Sequence, residues 1–193
     1  MKNVRGFFLL FCFLITTVHA VQPFKPIVCS QKYVLCTSAP CIPDPRHPNY
    51  AVCSCLVKQG ASAGYKTCEQ RKPKQYPDKT TRLISTFSFA QYDTKKAMTC
   101  SKGMPWTDCV DAPCTVNPMN RQKAICSCPI KHTQSFLTFG GDCRTRTCAT
   151  GFWSGATDTA ATALQNAMFK KLNITSNPWS HAACSSTDTK PAS

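Results

Sequence analysis

Residues 36–58 read Cys-Thr-Ser-Ala-Pro-Cys-Ile-Pro-Asp-Pro-Arg-His-Pro-Asn-Tyr-Ala-Val-Cys-Ser-Cys-Leu-Val-Lys, and residues 109–131 read Cys-Val-Asp-Ala-Pro-Cys-Thr-Val-Asn-Pro-Met-Asn-Arg-Gln-Lys-Ala-Ile-Cys-Ser-Cys-Pro-Ile-Lys. Aligned without a gap, 10 of the 23 positions are identical, including all four cysteines, both Ala-Pro-Cys triplets and both Cys-Ser-Cys triplets. Each block has one further cysteine upstream, Cys29 or Cys100, and one downstream, Cys68 or Cys143. Self-similarity of this kind marks an internal repeat. The chain therefore reads as a tandem duplication, with repeat 1 over residues 21–68 and repeat 2 over residues 100–147.

Each block predicts the same local structure. Pro43, Pro45 and Pro48 fix φ and remove N–H donors, so the stretch after Cys41 is a turn or irregular loop; Asn117 to Asn120 is its counterpart. Tyr50 to Val57 and Lys123 to Cys128 read as strands, the second limited or ended by Pro129. A Cys-Ser-Cys triplet, if extended, is taken to send its sulfurs to opposite faces and hence to two different partners. Gly60 to Gly64, all small residues, reads as a flexible loop. Tyr33 and Trp106 stand at equivalent positions and are assigned to the core.

Outside the repeats, residues 69–99 form a connecting segment. Its first part is basic and proline-punctuated, and its second places Leu83, Phe87 and Phe89 on one face of an extended strand that packs onto the repeats. Residues 148–193 hold the one predicted helix, Thr157 to Leu172. Ala161, Leu164, Met168 and Leu172 fall at helical spacing, Thr157 or Asp158 is the N-cap, and Lys170 and Lys171 suit the C-terminus. The expected fold class is a small disulfide-rich, mainly β and irregular protein: a pseudo-symmetric tandem duplication with one C-terminal helix.

Residues 1–20 carry Lys2 and Arg5, a short apolar run and a Val-His-Ala end, the three parts of a secretory signal. Of the 15 cysteines in the 193-residue chain only Cys12 lies in that segment. The fourteen others are an even set in an oxidising compartment, secreted or periplasmic, so they are expected to form disulfides. Cys29, Cys36, Cys41, Cys53, Cys55 and Cys68 should pair among themselves. Cys100, Cys109, Cys114, Cys126, Cys128 and Cys143 should do likewise, leaving Cys148 for Cys184. No apolar run reaches the roughly 18–20 residues of a membrane span.

The formal charge is +14. Lys66, Arg71, Lys72, Lys74 and Lys79 cluster after the first block and Arg144 and Arg146 after the second, a candidate surface for anionic glycans, lipid surfaces or protein partners. The export signal and the lack of a reader motif argue against nucleic acid. Gly60-Ala-Ser62-Ala-Gly64 matches a hydrolase nucleophile pattern, but no βαβ alternation surrounds Ser62. The cysteines are assigned to disulfides and not to zinc, since no histidine recurs between the blocks. Asn173-Ile174-Thr175 is a glycosylation sequon. The sequence thus predicts an exported, non-enzymatic binding or structural protein that needs no cofactor, with a secreted protease inhibitor or toxin-like effector as the alternative.

Overall fold

A computed structural model of the chain describes residues 25–37, 39–92, 96–139 and 152–177. The signal segment, Cys143, Cys148, Cys184, Arg144 and Arg146 lie outside them, and with them the expected Cys148–Cys184 pairing and the second basic group.

The first half of the chain contributes β1 (Ile27–Leu35), β2 (Pro40–Pro43), β3 (Tyr50–Gly64), β4 (Lys74–Gln75) and β5 (Thr81–Ile84). The second contributes β6 (Met98–Cys100), β7 (Trp106–Asp108), β8 (Pro113–Val116), β9 (Lys123–Lys131), β10 (Phe136–Thr138) and β11 (Phe152–Ala156), followed by the helix α1 (Asp158–Leu172). The fold is mostly β, with the one expected helix capped as expected: the Thr157 hydroxyl accepts from Ala160 N, and Lys170 and Lys171 occupy the last turn. Asn173 ends it in the left-handed conformation that asparagine tolerates. No helix among the described residues is long and apolar enough to cross a membrane.

The two halves meet along β3 and β9, which pair antiparallel from Tyr50 opposite Pro129 to Leu56 opposite Lys123. Around this shared wall the strands close two circuits. One runs β3–β2–β11–β7–β9, with β11 antiparallel to β2 and parallel to β7. The other runs β1–β3–β9–β8–β5 and is closed by a single bridge from Val34 to Ser85. The last strand of each half therefore lies on the other half: β5 pairs with β8, and β11 pairs with β2. Closed circuits satisfy backbone groups that an open edge leaves unpaired.

The register across the wall sets the core. Cys41 faces Cys53, Cys53 faces Cys126, and Cys126 faces Cys114, one row across β2, β3, β9 and β8. Five disulfides join described cysteines: Cys29–Cys68, Cys36–Cys55, Cys41–Cys53, Cys109–Cys128 and Cys114–Cys126. All five lie within the expected sets of six, and Cys100 is disulfide-bonded as well. Bond separations of 19 and 12 residues occur in each half.

The expectation that Cys53 and Cys55 point to opposite faces is overturned. Side chains on a strand repeat every two residues, so both point inward, at 0% and 1% exposure. Their different partners arise within one face, Cys41 directly across on β2 and Cys36 just past the end of β1. Of the fourteen buried residues around this row, eight are cysteines and only Val34 and Leu83 are larger than cysteine. The centre of the fold is thus a stack of disulfides, with Cys36 Sγ 3.3 Å from Cys126 Sγ and Cys53 Sγ 3.6 Å from Cys109 Sγ.

Two other readings need correction. Pro129 does not end β9, which continues to Lys131; Pro129 faces Tyr50 within the ladder. Residues 60–64 are not a loop but the end of β3, paired with β1 from Ile27 opposite Gly64 to Gln31 opposite Gly60. Small side chains are required there because α1 packs on this end of the strand, Leu164 and Met168 against Ala61 and Ala63. Tyr33 and Trp106 are both buried, as expected. The Tyr33 hydroxyl lies 2.7 Å from Ser88 Oγ, and Trp106 stacks on Phe136 at 5.4 Å between centroids.

Candidate functional site

The basic stretch after β3 folds back into the β4–β5 hairpin, with Lys74 opposite Arg82 and Gln75 opposite Thr81. Its turn is closed by Tyr76 N donating to Thr80 O (3.0 Å) and Lys79 N donating to Tyr76 O (2.9 Å). Asp78 Oδ1 accepts from Thr80 N at 2.9 Å and from the Thr80 hydroxyl at 2.6 Å, which holds the Asp78 carboxyl below its usual range. Side chains alternate across the pleat, so the hairpin presents two different faces.

One face borders a cleft of about 310 Å³ lined by Lys66, Lys72, Lys74 and Arg82, together with Gln70, Tyr76, Ile84 and Pro113. No acidic side chain lines it. The Arg82 guanidinium stacks 4.2 Å from the Tyr76 ring centroid, which fixes a planar cation at the wall. Lys66 is set by Asp111: Asp111 Oδ2 accepts from Lys66 N at 3.1 Å and from Tyr65 N at 2.7 Å, while Lys66 Nζ donates to Asp111 O at 2.9 Å. Lys72 shares its charge with the exposed Glu69 at 2.6 Å. Lys74 and Arg82 are directly opposed across the strands, a like-charge arrangement that costs free energy unless an anion lies between them.

Three of the predicted anion-binding residues, Lys66, Lys72 and Lys74, thus come together. Lys79 lies on the other face of the hairpin. Arg71 does not belong to the surface and is corrected: it is 1% exposed. Its guanidinium donates to Ile27 O (2.7 Å) and Ser62 O (3.3 Å) and touches Cys29 Sγ, tying the basic loop to β1 and β3. Burial lowers its pKa, and the Asp111 carboxylate acts in the opposite sense. Arg71→Met should cost about 3 kcal/mol of stability, because two carbonyls lose a charged donor. The urea midpoint should fall accordingly, while retention on heparin resin should stay as in the parent protein.

Arg82 was not among the predicted residues. The signal for it was present in Pro77-Asp78, a turn initiator that sets residue 82 back against residue 74.

Ser62 sits inside β3 opposite Cys29, 1% exposed, and the strand-to-helix turn of a nucleophile elbow does not occur there. Both glycines of the pattern have local reasons. Gly60 has φ +134°, and a Cβ on Gly64 would stand 2.6 Å from Asp111 Oδ1. The buried sulfurs also fall into two groups of metal-ligating type, Cys36 with Cys114 and Cys126, and Cys53 with Cys109 and Cys128. Every one of these sulfurs is bonded to another sulfur, so none is a thiolate ligand in this state. Comparison of the chain with protein-family models, curated proteins and solved structures finds no match in any of the three.

Proposed function

We propose that this is an exported, non-enzymatic binding protein whose basic cleft takes an anionic extracellular or envelope partner. The carrying observation is the opposition of Lys74 and Arg82 across the β4–β5 hairpin, flanked by Lys66 and Lys72, with no carboxylate in the lining. Lys66, Lys74 and Arg82 around one concavity, with Lys72 shared with Glu69, form a field that concentrates anions. A stack of disulfides at the centre of the fold suits an oxidising, extracellular setting. We also propose that the two halves descend from one duplicated unit. The 10 identities in 23 positions, the equal disulfide spacings and the facing of Cys53 with Cys126 support that reading.

The cleft reading predicts salt-sensitive retention of the oxidised protein on heparin resin, because contacts between exposed charges are screened as the Debye length shrinks. The double variant Lys74→Gln/Arg82→Gln should elute at clearly lower salt than a Lys170→Gln/Lys171→Gln control of the same net charge. Equal elution of the two doubles would remove the cleft and leave only net charge.

A further inference from the structure

We infer that the opposite face of the β4–β5 hairpin is a second site, for an amphipathic anion with one aliphatic tail and one negatively charged head. A groove of about 480 Å³ lies there. Leu83 and Gln75 line it, whereas their neighbours Arg82 and Lys74 line the first cleft. Leu83 is the buried side chain of the lining, with Val57 and Val116 half-buried beside it and Thr80, Thr81 and Asn117 half-buried around them. Lys32, Lys79 and Arg121 are exposed around them. Asp78 is the one acid in the lining, and its Oδ1 is held inside the turn by Thr80.

An aliphatic floor below three cations is complementary to a tail and a head together. A hydrophilic polyanion would satisfy the cations but leave the floor wet, and a neutral lipid would do the reverse. The three cations reach this groove from β1, from the hairpin turn and from the loop before β9.

A second observation concerns Lys79, which shares a positive φ with Asp111 and Asn173 among the described residues other than glycine. Its φ is +62°, a left-handed conformation in which a residue with a Cβ is disfavoured and glycine is free. The turn would form more readily with glycine. What lysine adds at that position is a cation at the mouth of the groove. Residues held in unfavourable backbone conformations gather at ligand-binding sites.

The test is titration calorimetry of the full oxidised protein with dodecanoate below its micelle concentration. Dodecyltrimethylammonium carries the same tail with the opposite head, and acetate carries the head alone. Saturable binding of dodecanoate, with neither control bound, is expected. Lys79→Gly/Arg121→Gln should weaken dodecanoate by about tenfold through loss of two charge contacts, and Lys79→Gly alone should melt no lower than the parent. Equal binding of the ammonium amphiphile, absence of saturable dodecanoate binding, or an unchanged affinity in the double variant would each overturn the proposal. Heparin retention reads Lys74 and Arg82, so failure of one site is distinguishable from failure of the other.

Discussion

Expressed alone, residues 25–92 should give no folded monomer. In the intact chain β5 is held by β8, and residues 50–56 of β3 are held by β9. Both partners belong to the second half. Cutting them away opens the edge of β3 from Tyr50 to Leu56 and exposes the Cys36–Cys55 and Cys41–Cys53 sulfurs that pack against Cys126 and Cys109. Phe87 and Phe89 would also lose Leu164 and Met168 of α1 as packing partners, and the remaining burial is too little to offset the conformational entropy of some seventy ordered residues. One folded state is open to the fragment. Cys53 faces Cys126, which stands at the same position of the aligned 23-residue blocks, so two copies of the fragment can pair through β3 by a two-fold rotation, an isologous contact. Size-exclusion chromatography with light scattering and near-ultraviolet circular dichroism decides the matter, and a compact monomer with native-like dichroism would refute it.

Removal of one disulfide from the central stack should also have a large effect, of a kind that depends on how it is removed. Replacing both Cys36 and Cys55 by alanine opens a loop of 19 residues and should cost about 3 kcal/mol by the chain-entropy relation. Replacing Cys55 alone leaves the Cys36 thiol 3.3 Å from Cys126 Sγ, which is bonded to Cys114. The Cys36 thiolate then attacks Cys126, the Cys36–Cys126 bond forms, the Cys114–Cys126 bond breaks, and Cys114 leaves as the thiolate. Cys55→Ser should therefore contain a bond between the halves and a reactive Cys114, increasingly so at alkaline pH, while the double variant should not. Peptide mapping after thiol blocking reads the difference; Cys36 recovered as the labelled thiol, with Cys114–Cys126 intact, would sink the exchange.

What the sequence made legible was whatever is local or repeated. The two sets of six cysteines that contain the five disulfides follow from cysteine spacing, though the pairing within each set does not; α1 follows from its alanine-rich periodicity and its Thr157 cap, and the burial of Tyr33 and Trp106 from the scarcity of other large side chains. The errors share a physical origin in long-range packing. The small residues at 60–64 resemble a loop, yet they are small because α1 approaches one face and Asp111 and Arg71 approach the other. Arg71 stands in a run of surface lysines and is nevertheless buried, because its guanidinium is the donor that Ile27 O and Ser62 O require. The short strands β5 and β11 each take one partner from the opposite half, a destination that no neighbouring residue encodes. Lys32 and Arg121 enter the second groove from distant positions for the same reason.

The placement of two of the bridges bears on how the molecule meets digestive enzymes. Cys41–Cys53 spans the loop that carries Arg46, whose side chain is 84% exposed, and Cys114–Cys126 spans the loop that carries the exposed Arg121. Both are sites open to a trypsin-like protease, since exposed loop tips are where nicking concentrates. A cut at either one severs the backbone between two cysteines that remain bonded to each other. The nicked chain keeps its strands in register and releases no fragment, and its pieces separate only on reduction. In a fluid that is both oxidising and rich in proteases, the same bonds that fill the centre of the fold also make the peptide bonds of these loops dispensable.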